Sequence, residues 1–153
     1  MDITLRRATV ADIKPIHSYL LAGATDALLL PRSLSELYGR TRDFLVLTDA
    51  NATVLGCCAL SIVWENMAEI RSLFVDSSLR GKGYGRKLVE ACMHEGTAVL
   101  GVEQFFTLTY QREFFQSLGF EVVGKEVLPQ KVWADCIHCP KFPDCDEIAM
   151  VKK

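Results

Sequence analysis

The chain has 153 residues, half of them apolar, and a formal net charge of −2. That suits one domain, residues 1–153, with a sizeable core, and nothing in so balanced a charge suggests nucleic-acid binding, which needs a basic surplus on one face. Met1-Asp2-Ile3-Thr4 carries no signal-peptide pattern, and the apolar run at Leu28-Leu29-Leu30 lies between Asp26 and Pro31, too short for a membrane span; a cytoplasmic protein with no membrane partner and six reduced cysteines is expected.

Ile3 to Ala8 alternates apolar and polar residues, as a first strand does. Thr9 and Asp12 read as an N-cap with an acidic first turn. Ile13, Ile16, Leu20 and Leu21 then carry a helical period that Gly23 is expected to end. Ser33 and Glu36 have capping-box spacing, which predicts a short helix from Leu34 to Gly39. Strands follow at Phe44 to Thr48, Val54 to Val63 and Ala68 to Val75, the first two joined by the turn Asp49-Ala50-Asn51-Ala52. The main helix is expected from Arg86 to Gly96, with Leu88, Val89 and Cys92 on one face. A strand from Phe105 to Thr109, a helix from Glu113 to Leu118 stopped by Gly119, and strands at Phe120 to Val123 and Ile148 to Val151 complete the chain. No repeat, linker or low-complexity tract interrupts it.

The most informative residues are Arg80-Gly81-Lys82-Gly83-Tyr84-Gly85, between a strand and a helix. Glycines let backbone N–H groups converge, and the helix start adds partial positive charge. Arg80, Lys82 and Arg86 add formal charge, so a pyrophosphate is the natural guest. The spacing is not that of a dinucleotide fingerprint, and Arg86-Lys87-Leu88 is not the Lys-Ser/Thr of a P-loop. A solvated Gly-rich turn is the plain alternative.

An R-G-x-G-x-G run after a strand ending Leu73-Phe74-Val75 resembles the coenzyme A loop of the GNAT N-acetyltransferases. The predicted order of elements matches that family over nearly the whole chain. The resemblance implies an α/β fold whose mixed central sheet is flanked by helices and whose central strands splay to hold acetyl-CoA. It implies main-chain contacts to the coenzyme from Leu73, Phe74 and Val75. It also implies phosphate contacts from Arg80, Gly81, Lys82, Gly83, Tyr84, Gly85 and Arg86.

Acetyl transfer to an amine requires loss of the amine's proton, since an α-amine of pKa ~8 is mostly charged at pH 7. It also requires donors for the developing oxyanion. Some family members carry a glutamate where Glu69 stands, accepting the proton through water. Glu69 and Arg71 share one strand face; they are read as a base and an anion clamp, or as a salt-bridged pair on a solvated face. Many members place a tyrosine, as the thiolate's acid, five residues before the final Phe of their second motif. Here that residue is Phe115, which cannot donate a proton. Tyr110 is the nearest substitute, as donor or orienter, with ordinary packing as its alternative. A thiol of pKa ~8.5 is a tolerable leaving group without an acid.

Within the family, Ala68 to Leu73, Leu30 to Leu37, Leu128 to Lys131 and Cys136 to Glu147 resemble the short, single-domain bacterial N-acetylglutamate synthases. The implied reaction is acetyl-CoA plus L-glutamate giving N-acetyl-L-glutamate, the first step of arginine synthesis, by direct attack in a ternary complex. Two carboxylates need at least two cations, and Arg is the better bidentate partner. Arg32, Arg71 and Lys131 are the candidates, with Lys141 a weaker fourth; each is otherwise a solvated surface charge.

Cys136, Cys139 and Cys145, in a Cys-rich hairpin over residues 136–146, have short spacings suggestive of a metal knuckle. No second C-x-x-C pair exists, although Asp135, Asp146 or a residue from elsewhere could complete a set of four, so a metal is possible but not expected; a packed loop pinned by Pro140 and Pro143, or a redox-sensing disulfide, are the alternatives. Cys57, Cys58 and Cys92, and the stripe Phe105, Phe106, Phe114, Phe115 and Phe120, read as core. Acylation of another small amine or a protein N-terminus, and a non-catalytic acetyl-CoA or arginine sensor, are the competing functions. A homodimer is left open.

Overall fold

The computed structural model describes residues 2–25, 33–128 and 147–153. Seven strands form one sheet: β1 (Thr4–Arg7), β2 (Phe44–Thr48), β3 (Val54–Trp64), β4 (Met67–Val75), β5 (Gln104–Thr109), β6 (Glu121–Val123) and β7 (Ile148–Lys152). Their order is β1-β2-β3-β4-β5-β7-β6. Only β4 and β5 run parallel; every other neighbouring pair is antiparallel. The helices are α1 (Ile13–Thr25), α2 (Leu34–Gly39), α3 (Tyr84–Ala98) and α4 (Arg112–Ser117). The expected mixed sheet with flanking helices is therefore the observed one.

Both faces of the inner strands are covered, so β2 is buried at every position rather than alternately. Phe44 and Val46 join Cys57 and Ala59 of β3 against Ile13, Ile16 and Leu20 of α1 and Leu37 of α2. Leu45 and Leu47 join Cys58, Leu60 and Ile70 against Leu88, Val89 and Cys92 of α3. The three thiols thus sit in the core on both faces, and burial pushes the Cys57 thiol up to about 12.

Two helices run past glycines that sequence reading placed at their ends. Helix α1 continues through Gly23 to Thr25, since an interior glycine costs only about 1 kcal/mol. Helix α3 continues through Gly96, where a Cβ would stand 2.6 Å from the Phe105 ring; the missing side chain lets helix and sheet approach. The same helix starts earlier than expected, because Gly83 (φ +84°) is its N-cap. Helix α2 begins as read, with Ser33 Oγ accepting from the Glu36 N–H at 3.0 Å. Among the described residues no helix is long and apolar enough to cross a membrane.

Where the chain enters α1, Arg6 donates twice to Asp12, at 2.7 and 2.9 Å, and the Thr9 N–H donates to the same carboxylate. The Arg6 hydrogen bonds hold the Asp12 carboxyl below its usual range against the opposing effect of burial. A depressed folded pKa contributes stability that is complete above the unfolded value, ~3.9, and is lost as pH falls through the folded value. Asp12→Asn should therefore cost roughly 1–3 kcal/mol at pH 7, and the deficit should shrink below about pH 4. Urea midpoints of both proteins across that range check it; a deficit unchanged at low pH would contradict the assignment.

Candidate functional site

Strands β4 and β5 pair at Met67 with Gln104, Ala68 with Phe105 and Glu69 with Phe106, and then stop. Beyond that point β4 stays paired to β3 as far as Val75, and β5 stays paired to β7 as far as Thr109. Each strand holds its outer neighbour and leaves its inner one, so a fork opens toward both C-terminal ends. Past the fork β4 also carries a bulge: Cys57 pairs with Phe74 and Ala59 with Arg71, so Ser72 and Leu73 both face Cys58. Ser72 takes the bulge in a left-handed conformation, φ +57°.

A cavity of about 550 Å³ lies at the mouth of this fork, within the range of small-molecule sites. Leu73, Phe74 and Val75 line one wall, and Arg80, Gly81, Gly83, Tyr84, Gly85 and Arg86 another. Of the residues expected at the coenzyme, only Lys82 is not in the lining; it is exposed. Gly81 (φ +77°) and Gly83 (φ +84°) supply the left-handed turns that lead into α3. The first N–H groups of a helix have no partner within it, and no acidic side chain occupies the first turn of α3.

The basic side chains around the loop are mostly engaged with the protein. Arg80 donates to the Val75 carbonyl at 3.1 Å and lies 5.7 Å over the Phe74 ring. Tyr19 of α1 also packs on that ring at 4.5 Å and donates its hydroxyl to the Val54 carbonyl at 2.8 Å. Arg86 bonds the Ser117 carbonyl at 3.0 Å and pairs with Glu90, strapping α3 to the end of α4. What the loop offers an anion is thus chiefly backbone N–H groups and the helix start.

The opposite wall was missed by sequence reading. Gln111, Phe114 and Ser117 line the cavity; their spacing of three is one face of α4, and that periodicity was the available signal. The neighbouring Phe115 instead faces the core, 3% exposed, with its ring edge-on to Phe120 at 5.2 Å. Phe115 therefore supplies no group to the cavity. Tyr110 stands half-buried at the bend after β5, outside the lining.

Glu69 and Arg71 sit at the fork itself. Arg71 Nη1 lies 3.5 Å from Glu69 Oε1, and their side chains are only 8% and 12% exposed. The pair is thus ion-paired, as one sequence reading held, but buried rather than on a solvated face. In register they stand opposite Ala59 and Ser61 of β3. Ser61 Oγ donates to Asp43 at 3.1 Å and accepts from Arg40 at 3.4 Å, which extends a polar strip to Glu36 of α2. Burial raises the Asp43 carboxyl above its usual range. This strip was not read from sequence, because it depends on strand register.

Arg32, Lys131, Lys141, Cys136, Cys139 and Cys145 lie outside the described residues. Among the described residues no group of three His, Cys, Asp or Glu could hold a metal ion.

Comparison with known proteins places this arrangement. Residues 40–122 match the model of the acetyltransferase (GNAT) domain. An uncharacterized N-acetyltransferase of Chlorobaculum tepidum is 42% identical over 99% of this chain and 96% of its own. An amino-acid acetyltransferase of Mycobacterium tuberculosis is 32% identical over 80% of this chain and 71% of its own. The crystal structure of a Mycobacterium tuberculosis protein in complex with CoA superposes with a TM-score of 0.81, at 28% identity, over 97% of both chains. A forked sheet, a Gly-rich loop opening α3 and this agreement in sequence together show that the chain belongs to the GNAT acetyltransferase family.

Proposed function

We propose that residues 1–153 act as one acetyltransferase domain that moves the acetyl group of acetyl-CoA to the α-amine of L-glutamate, giving N-acetyl-L-glutamate. The pantetheine arm lies along Leu73, Phe74 and Val75 in the mouth of the fork. The pyrophosphate rests on the N–H groups between Gly81 and Arg86, with Lys82 adding charge from outside. CoA bound to a protein of the same fold at 28% identity supports this placement.

The observation that carries the acceptor reading is Arg71. A buried guanidinium needs anionic company; this one has Glu69 and lies at the fork, next to the wall assigned to the pantetheine arm. There it is placed to orient a carboxylate of the acceptor. Arg32 and Lys131 complete the charge that two carboxylates need. Glu69, at the closed end of the fork, takes the amine proton through water. The free amine then attacks the thioester carbonyl, the C–S bond breaks as the thiolate leaves, and the proton remaining in excess on the nitrogen is lost to water. With Phe115 in the core, departure relies on the thiol's own acidity, aided by Tyr110 if it moves toward the sulfur. Similarity to an amino-acid acetyltransferase supports the substrate class, and the acidic acceptor links the reaction to arginine synthesis.

Two experiments test this. With acetyl-CoA and an equimolar mixture of glutamate, aspartate, glutamine, lysine and polyamines, N-acetyl-L-glutamate should dominate the products by mass spectrometry. A different acetylated amine would discard glutamate, and no product with CoA still bound would favour a sensor. Independently, Gly83→Val should weaken CoA binding about tenfold or more by calorimetry, because a β-branched residue at φ +84° costs roughly 1–3 kcal/mol and turns the N–H groups away. Wild-type affinity in that variant would remove the loop from the site.

A further inference from the structure

We infer that Thr107 is a positioning residue that sets where β4 and β5 part, and thereby holds open the slot for the pantetheine arm. This rests on the coenzyme reading above. The parallel ladder ends at Glu69 and Phe106, and the next residues along are Ile70 and Thr107. There the Thr107 hydroxyl donates to the Ile70 carbonyl at 2.9 Å. The two residues are 3% and 1% exposed, so this carbonyl has little access to water.

A buried carbonyl without a donor is costly, by about 1–3 kcal/mol. In an uninterrupted ladder a backbone N–H of the neighbouring strand would satisfy it, and the strands would stay about 4.8 Å apart. Here a side chain takes that place. The hydroxyl removes the incentive for the ladder to extend by another pair, while β5 keeps its full pairing to β7, including Thr107 with Met150. The fork is therefore supported by the chain's own hydrogen bond at the point where the ladder ends. Preorganisation of this kind lowers the cost of binding.

Valine has the shape of threonine without the donor, and serine keeps the donor. Thr107→Val should raise the Kd for CoA and the KM for acetyl-CoA about tenfold, the equivalent of one lost buried hydrogen bond. The acceptor KM should stay within about threefold. Thr107→Ser should restore coenzyme affinity to within about threefold of wild type. General destabilisation would move both KM values together and would not be rescued by serine. If the valine variant does not fold, Thr107→Ala compared with Thr107→Ser isolates the same hydroxyl. CoA titrated into the wild-type protein is the reference: no binding there overturns the coenzyme reading itself, whereas wild-type binding with an unchanged valine or alanine variant overturns only the role of Thr107.

Discussion

Glu69→Gln should lower kcat by about two to four orders of magnitude while leaving the acetyl-CoA KM within about threefold, since glutamine touches no part of the proposed coenzyme slot. The substitution keeps shape and polarity, and the amide oxygen still faces Arg71, so the fold should survive. What it removes is the capacity to accept a proton. The variant should then depend on amine that has already lost its proton in solution. Its rate should keep rising as pH approaches the amine pKa, ~8, where the wild-type enzyme levels off. Steady-state rates across pH 6 to 9 check both parts. A variant with wild-type kcat would exclude Glu69 as the base.

The second large effect is at Arg71. Truncating one partner of a buried, hydrogen-bonded charge pair costs about 2–5 kcal/mol, so Arg71→Ala should raise the acceptor KM about 30-fold or more. The acetyl-CoA KM should change far less. Because Arg71 also fixes Glu69, kcat should fall as well, and the variant should melt at a lower temperature. Arg71→Lys should recover part of the stability but less of the acceptor affinity, since an ammonium cannot bind a carboxylate in the two-pronged manner of a guanidinium. An acceptor KM at the wild-type value would remove the clamp.

The strands and helices were legible because their apolar periods are strong and their caps explicit. Ser33 with Glu36 placed α2, and the run from Gly81 to Gly85 placed the start of α3 to within two residues. The walls drawn from one continuous segment, Leu73 to Val75 and Arg80 to Arg86, were legible for the same reason. What escaped was whatever depends on pairing across the fold. Ser72 carries no turn signal, yet the bulge places it at positive φ. Arg40, Asp43 and Ser61 meet only once β2 is in register with β3. Glu69 and Arg71 could also be read as a solvated pair, because a charge on a strand is usually outward; β4 is an inner strand of a sheet covered on both faces, and that reverses the expectation. Phe114 and Phe115 are adjacent in sequence, yet only Phe114 lines the cavity. Both rings look equivalent in sequence, and the packing of Phe115 on Phe120 decides which one faces the cavity.

The most direct measurement is the release of free thiol from acetyl-CoA with L-glutamate, beside parallel reactions with aspartate, glutamine and lysine. The account predicts that kcat/KM for glutamate exceeds that for each of the others by at least about tenfold, because a pocket built around cations leaves charge unpaired when a carboxylate is missing or misplaced. Equal or faster turnover of lysine or glutamine would contradict it and would mean that Arg71 serves the Glu69 ion pair alone.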